Sequence, residues 1–528
     1  MAPSIVHLPD GQNFTVQPVF SGLFFKSNDL NTHPTPFPAG WTVVLHSEDN
    51  PDNDDIDGAA EGDNSSEGGR SAARGNHIHK YSKPTLQNDT VFISSISNPS
   101  SSDYRPPASA SRQIALMVWI TLYWYFQQPE PAPYLETKQS RLTPAAAKPK
   151  GEWRIRIKRE GVLRTRNMIP KLERMGLICT MESAVGTGTD EGHQGWDHMF
   201  VTRSMFWQIP SGLFLFTLQP MTMARATSSH PGSPASSRPT SPIRSESPYK
   251  HHHHLPSTGS MLSVDAQSSS GVVAVPGLPI GPYFSPSGLP TYYPPPPLQY
   301  TITHNIRHPI RRKPPRMGEI FYTRFVPSVG KYLSFRVASL SPKPVPNLGP
   351  ITADPQRDTA HQHLCMLDDT SLLQMWLAKP RVSAFWGQYH ATFLSDALRS
   401  RHSFPVIGLW DGVPFGYFEI YWVKEDALGR HMGMGTGGAQ DFDRGLHVLV
   451  GEEWARGRVQ QWLSGLVHWC WQVENRTMNI YLEPRVDNER LIKHLQTAGF
   501  SKEREIAFPH KQSCLCRLQR EVWEGPAL

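Results

Sequence analysis

A chain of 528 residues exceeds what one hydrophobic core supports, so two or more domains are expected. Its 40 glycines and 49 prolines stand above the usual share, which argues that part of the chain builds no core. The net charge of +6 is small for this length and forms no long basic block, which argues against a nucleic-acid binder; the five cysteines lack metal-ligand spacing and fit a reducing compartment.

From the start, "MAPSIVHLPDGQNF" lacks the apolar segment of a secretory signal. The acidic, small-residue stretch "SEDNPDNDDIDGAAEGDNSSEGG" opens a loop over 47–80 that is expected to be disordered. The apolar run "IALMVWITLYWYF" at 114–126 is too short to span a bilayer and reads as a buried helix, so no membrane partner is expected. "WRIRIKREG" alternates as a strand does, and "NMIPKLERMGLI" is a helix closing at Gly176. "DHMFVTRSMFWQI" and "GLFLFTLQP" read as strands. Residues 1–225 thus form an α+β domain with no defensible catalytic constellation. The Pro/Ser-rich stretch 226–300 reads as a disordered linker, and its histidines at 251–254 as a solvated tract; no metal site is expected.

Residues 301–528 read as an α/β domain. "YLSFRVASL" is a strand. "DDTSLLQMWLAKP" is a helix with acidic capping residues that stops before Pro380, and "YHATFLSDALRSR" is a second helix. "FPVIGLW", the turn Asp411-Gly412 and "VPFGYFEIYW" form a hairpin. "GLHVLVG" is a strand, and Val459, Trp462, Leu463, Leu466, Val467, Cys470 and Trp471 make the apolar stripe of a helix. "MNIYLEP" is a strand, "NERLIKHLQTAGF" a helix stopped by Gly499, and "KEREIAF" and "SCLCRL" two closing strands.

Several residues stand out chemically. Glu452–Val459 leads into the central helix, where backbone N–H groups can receive an anion; an ordinary basic helix start looks the same. Alternation puts Leu446, Val448 and Val450 on one face of their strand and His447 and Leu449 on the other. A lone histidine in such a run is as a rule a core residue. Tyr417, Glu419 and Tyr421 share one face, and a carboxylate between two tyrosines suits an α-ammonium group; a surface strand with mixed aromatics fits too. Asn488 reads as a helix N-cap.

The element order, with "ARGRV" before the central helix, resembles the GNAT acyltransferase fold. "FWGQYH", "PVIGLWDGVPFGYFEIYWVKEDALG", "DRGLHVLVGEE", "EPRVDNERLIKHLQTAGFSKE" and "FPHK" resemble the siderophore N-acyltransferases, including fungal hydroxyornithine transacylases, over about residues 315–520. The resemblance implies that Leu449 and Val450 pair with the pantetheine arm of acyl-CoA. It implies further that Arg456, Gly457, Arg458 and Val459 cradle the pyrophosphate and that Asn488 faces the pantetheine. Val459 departs from the second small residue usual in acetyltransferases. His447 is implied as the base, working with Glu483 at the end of the next strand. Trp386, His390, Tyr417, Glu419, Tyr421, Asp443, Arg444 and Asp487 are implied on the acceptor side.

The expected activity is transfer of an acetyl or longer acyl group from acyl-CoA to the side-chain hydroxylamine of hydroxyornithine, with siderophore-pathway enzymes as partners. Hydroxylysine or another amine as acceptor, and a non-catalytic scaffold, are the competing expectations. The ending "GPAL" lacks the basic residue of a peroxisomal signal, so a cytoplasmic location is expected, with the peroxisome as alternative.

Overall fold

A computed structural model describes residues 4–20, 22–28, 40–48, 78–97, 110–135, 137, 139–165, 168–180, 199–215, 297–352, 360–433 and 437–528. The expected acidic loop falls outside the described residues over 49–77, and the expected linker over 226–296.

The first half contains β1 (Ser4–His7), β2 (Asn13–Val19), β3 (Gly22–Ser27), β4 (Gly40–Glu48), β5 (Ile78–Lys80), β6 (Asp89–Ser97), α1 (Ala110–Tyr125), β7 (Arg154–Ile157), α2 (Met168–Arg174), β8 (Cys179–Thr180), β9 (Met199–Thr202), α3 (Arg203–Gln208) and α4 (Gly212–Leu215). Its sheet runs β1-β2-β3-β4-β6-β7-β9-β8, with β5 pairing on β4. The apolar helix α1 is buried from Gln113 to Tyr125, as its all-round hydrophobicity demands. Among the described residues no helix is long and apolar enough to cross a membrane. Two expected strands are corrected. β9 ends at Thr202, whose hydroxyl accepts from Met205 N–H at 3.2 Å and so caps α3; "GLFL" closes into the short helix α4, with 216–220 outside the described residues.

The second half begins with the two-stranded hairpin β10 (Tyr300–Thr303) and β11 (Ile306–Pro309). It continues through β12 (Ile320–Val326), β13 (Lys331–Val337), α5 (Asp369–Leu377), α6 (Pro380–Trp386), α7 (Phe393–Arg399), β14 (Ser403–Trp410) and β15 (Val413–Trp422). Next come α8 (Ala427–Met432), β16 (Arg444–Val450), α9 (Val459–Val473), β17 (Asn479–Leu482), α10 (Glu489–Thr497), β18 (Ser501–Phe508) and β19 (Lys511–Gln519). The sheet order is β12-β13-β14-β15-β16-β17-β19-β18. The β14–β15 turn places Asp411 and Gly412 at φ +46° and +83°, as a primed hairpin turn requires. Pro380, expected only to stop a helix, also starts one: it sits at the first turn of α6, where its missing N–H costs nothing. β10, β11, β12, α6 and α8 were not expected from the pattern.

The two sheets share one topology. In each, four antiparallel strands lead to a strand that crosses through a helix (α1 or α9) to a parallel neighbour, and a final hairpin pairs by its second strand. In each, the parallel pairing lasts only two residue pairs: Thr90↔Arg156 and Val91↔Ile157 in the first half, Arg444↔Ile480 and Gly445↔Tyr481 in the second. In that register Ile93, Val43 and Arg159 stand where the second half has His447, Glu419 and Glu483. The gap of the first half is closed by its own chain. Lys158 N–H donates to Val91 O at 3.0 Å, and Gly161, at φ +56°, lies so close to Ile93 O that a side chain there would collide.

The halves meet on the outer face of α9. His468 Nε2 lies 2.7 Å from Trp207 O, and Gln472 donates to Ile209 O at 3.2 Å. His7 stacks on Phe325 at 4.0 Å.

Candidate active site

β15 and β16 pair antiparallel with Glu419 opposite His447 and Tyr421 opposite Gly445. Cross-strand partners point to the same face, so the alternation that groups Tyr417, Glu419 and Tyr421 sets all three beside the histidine. Gly445 has no side chain because the Tyr421 ring crosses over it, reaching Glu483 at 2.9 Å. Glu483 follows the last residue of β17, where β16 and β17 have already parted.

His447 is held at both ring nitrogens. Nδ1 lies 2.9 Å from Glu419 Oε2 and Nε2 lies 2.9 Å from Glu483 Oε1. Both nitrogens must donate to meet two ionised carboxylates, so the ring is an imidazolium. Burial works against that charge, but the Glu483 charge and the two hydrogen bonds outweigh it and hold His447 well above its ordinary value. Burial alone would raise Glu483; the imidazolium and then Lys511 bring it down to about 2. Glu419 is likewise lowered, against burial, by His447 and by the Tyr417 hydroxyl, which donates at 2.8 Å. Tyr417 and Tyr421 are pushed well up by burial and by the carboxylates they serve. Lys511 Nζ lies 3.6 Å from the Glu483 carboxylate and donates to its carbonyl at 3.1 Å.

An aromatic cage stands over this cluster. Trp386 is edge-on to His447 at 6.3 Å and to Tyr417 at 5.6 Å, and Phe393 lies 5.7 Å from Tyr417. His390 is exposed at its rim, 5.4 Å from Phe393, with Nδ1 3.2 Å from the Thr392 hydroxyl.

Past Gly445 the edge of β16 faces a cleft of about 160 Å³, lined among others by Arg381, Trp386, Val448, Arg456, Val459 and Asn488. Trp386 Nε1 donates to Val448 O at 3.1 Å, and Arg381 to Val450 O at 3.0 Å. These contacts show that Val448 and Val450 turn their backbone groups into the gap, so by alternation Leu449 turns its own toward β15. The expected pair Leu449 and Val450 is corrected to Val448 and Val450: backbone groups, like side chains, alternate along a strand, and neighbours cannot share an edge. Leu449 is buried in the core beneath Trp376.

The start of α9 leaves its backbone N–H groups open to an anion. No side chain caps that helix, and nothing lies within 4 Å of where a Cβ would stand on Gly457. Arg456 lines the cleft, 3.8 Å from Glu453. Arg458 instead lies over the rings of Trp410 and Trp454, at 5.4 and 5.5 Å, and packs inward. Asn488 caps α10 by accepting from Leu491 N–H at 3.3 Å and also lines the cleft.

Three expected acceptor-side residues lie apart from the cluster. Asp443 is buried and pushed up by burial, and it accepts from Gln440 N–H at 3.0 Å and Asn479 Nδ2 at 3.1 Å. Arg444 is buried over the Trp422 ring and brought down to about 10 by burial. Asp487 is exposed and paired with Arg485 at 2.6 Å, and Arg485 ties the loop to α6 through Ala384 O at 2.8 Å. Lys511 and Arg381 were not expected. The only sequence signals for them are the hairpin "FPHK" and a basic residue just after Pro380.

The profile of the GNAT acetyltransferase domain matches residues 366–508. The chain is 54% identical to an N5-hydroxyornithine acetylase of Beauveria bassiana, over 97% of this chain and 100% of that one. It is 38% identical to an N(6)-hydroxylysine O-acetyltransferase of Escherichia coli, over 40% of this chain and 59% of that one. It is 32% identical to an N(5)-hydroxyornithine:cis-anhydromevalonyl coenzyme A-N(5)-transacylase of Beauveria bassiana, over 46% and 54% respectively.

Proposed function

The chain belongs to the GNAT acetyltransferases and, within them, to the family of the fungal N5-hydroxyornithine acetylase, and from that membership we propose that it moves an acetyl group from acetyl-CoA to the hydroxylated side-chain nitrogen of hydroxyornithine, forming a hydroxamate for siderophore assembly. The observation that carries the chemistry is the Glu419–His447–Glu483 cluster at the mouth of the β16/β17 gap. The gap-facing backbone of Val448 and Val450 would hold the pantetheine, with Asn488 at its side. The start of α9, with Gly457 and Arg456, would hold the pyrophosphate. The thioester carbon then lies against the cluster and the acceptor enters from the aromatic cage.

The acceptor's chemistry suits this arrangement. A hydroxylamine nitrogen is far less basic than an alkylamine, whose pKa is ~10.4, and so arrives neutral and nucleophilic. Attack forms the C–N bond, collapse of the tetrahedral intermediate breaks the C–S bond, and the nitrogen's proton passes to the cluster. What the site supplies is alignment and charge placement.

Incubating the purified protein with acetyl-CoA and either hydroxyornithine or ornithine, and following free thiol and product mass, tests this. Thiol release with hydroxyornithine alone, abolished by His447→Ala, is the expected result. Acetyl-CoA binding without turnover on hydroxyornithine would refute the acceptor or acyl assignment.

A further inference from the structure

We propose that Glu419 takes the proton from the acceptor nitrogen, while His447 works as a fixed imidazolium that keeps Glu419 ionised and in place. The inference rests on the acyl-transfer reading above and assigns the roles within it. A histidine whose two ring nitrogens both donate, at 2.9 Å each, has no lone pair with which to accept a proton. Breaking either contact would strand a carboxylate beside the ring. The proton therefore goes to a carboxylate, and the two carboxylates differ.

Glu483 is 5% exposed and meets His447, Tyr421 and Lys511. Glu419 is 20% exposed, its carboxylate meets His447 and Tyr417, and it lies on the side of the aromatic cage formed by Trp386, Phe393 and Tyr417. Each carboxylate oxygen accepts two hydrogen bonds, so both oxygens of Glu419 keep capacity for the acceptor N–H. The charged and titratable groups facing the ring are Glu419 and Tyr421 from β15, Glu483 from the end of β17 and Lys511 from β19, with Trp386 from α6; the Asp426 charge also reaches Glu419 and Tyr421.

The step balances as follows. The neutral hydroxylamine nitrogen adds to the thioester carbon, forming C–N and an oxyanion. The nitrogen, now acidic, gives its proton to Glu419. The oxyanion collapses, C–S breaks, and the thiolate takes a proton from Glu419 directly or through water, so the cluster ends with the charge it began with. A carboxylate is base enough for this acidified nitrogen. It is too weak to strip an alkylammonium of pKa ~10.4, so the assignment predicts that unhydroxylated ornithine is not turned over.

The test is the pH profile of kcat/KM with saturating acetyl-CoA and hydroxyornithine, with the ring state read by NMR of 15N-histidine protein. The expected profile is flat from near neutrality and falls at high pH, with two protonated ring nitrogens at pH 7.5. Glu419→Gln keeps the side-chain shape; it should lower kcat by roughly 10²–10⁴-fold and leave acetyl-CoA binding unchanged. Glu419→Asp, which only withdraws the carboxylate, should recover part of the rate. Activity that rises with pH through the histidine titration, or Glu419→Gln within a few-fold of wild type, would overturn the assignment and leave the acyl-transfer reading intact. Absence of turnover in the wild type would remove both.

Discussion

Replacing Glu483 by glutamine removes one of the two carboxylates that fix the charge on His447 and leaves Lys511 without that counter-ion. Each pair has a pH window. The raised His447 makes a contribution to stability that is fully present below its unfolded value of 6.5 and is lost as pH rises through the higher folded value. The lowered Glu483 makes one that is present above 4.5 and is lost as pH falls toward about 2. Thermal melts across pH should show wild type losing stability over both windows, and Glu483→Gln losing less than wild type between pH 4.5 and about 2, with the shares of Glu419 and His468 remaining. Gly457→Ala offers a cleaner separation of fold from ligand. The protein itself leaves the Cβ position empty, so the melting temperature should hold, while the KM for acetyl-CoA rises on the order of tenfold, equivalent to ~1.4 kcal/mol, as the methyl meets the pyrophosphate.

At the scale of elements, Asn488 caps α10 and also lines the cleft. Asn488→Ala should cost ~1 kcal/mol in chemical denaturation, because Leu491 N–H loses its cap, whereas Asn488→Asp keeps the cap. If Asn488 also faces the pantetheine, both variants raise the KM for acetyl-CoA; a rise in neither leaves it a cap alone. The same elements show what the sequence could and could not convey. The β14–β15 hairpin was legible because Asp411-Gly412 permits few other turns, and α9 because its apolar stripe matches a buried face. α6 was hidden because proline both ends one helix and starts the next. Asp443 and Arg444 looked available because charged residues before a strand commonly face water. Here Asn479 and the Trp422 ring, distant or unremarkable in sequence, take them into the sheet. Glu419 was placed on the right face, but its bond to His447 depends on a strand register that no pattern states.

Over the whole molecule, the first half braces α9, the helix that begins at the proposed cofactor loop. His468 sits on the far face of α9, its Nδ1 2.9 Å from Tyr322 OH and its Nε2 2.7 Å from Trp207 O. Burial, aided by the Arg324 charge, pushes it down to about 3, so it is neutral between the halves. Its depressed value means stability present above 6.5 is lost as pH falls toward about 3, since the unfolded chain binds the proton first. His468→Gln should flatten that part of the acid melting curve. Trp207→Ala should lower the melting temperature and kcat together, because α9 carries the cofactor loop on its other end. This brace could not be read from either half alone: its contacts span 261 positions along the chain.

The closed gap of the first half also bears on which substitutions each half accepts. Two sheets of one topology stand in one chain, and they differ in the residues at matching register positions. In the second half, the proposed chemistry constrains His447, Glu419 and Glu483 side chain by side chain. In the other, Ile93, Val43 and the sealing Gly161 are constrained by volume and backbone shape alone. Random mutagenesis scored by turnover should therefore accept Ile93→Val and Val43→Ile yet refuse Gly161→Val, while at His447 it accepts nothing. The seal is set by backbone contact, and so leaves no room for a side chain at Gly161.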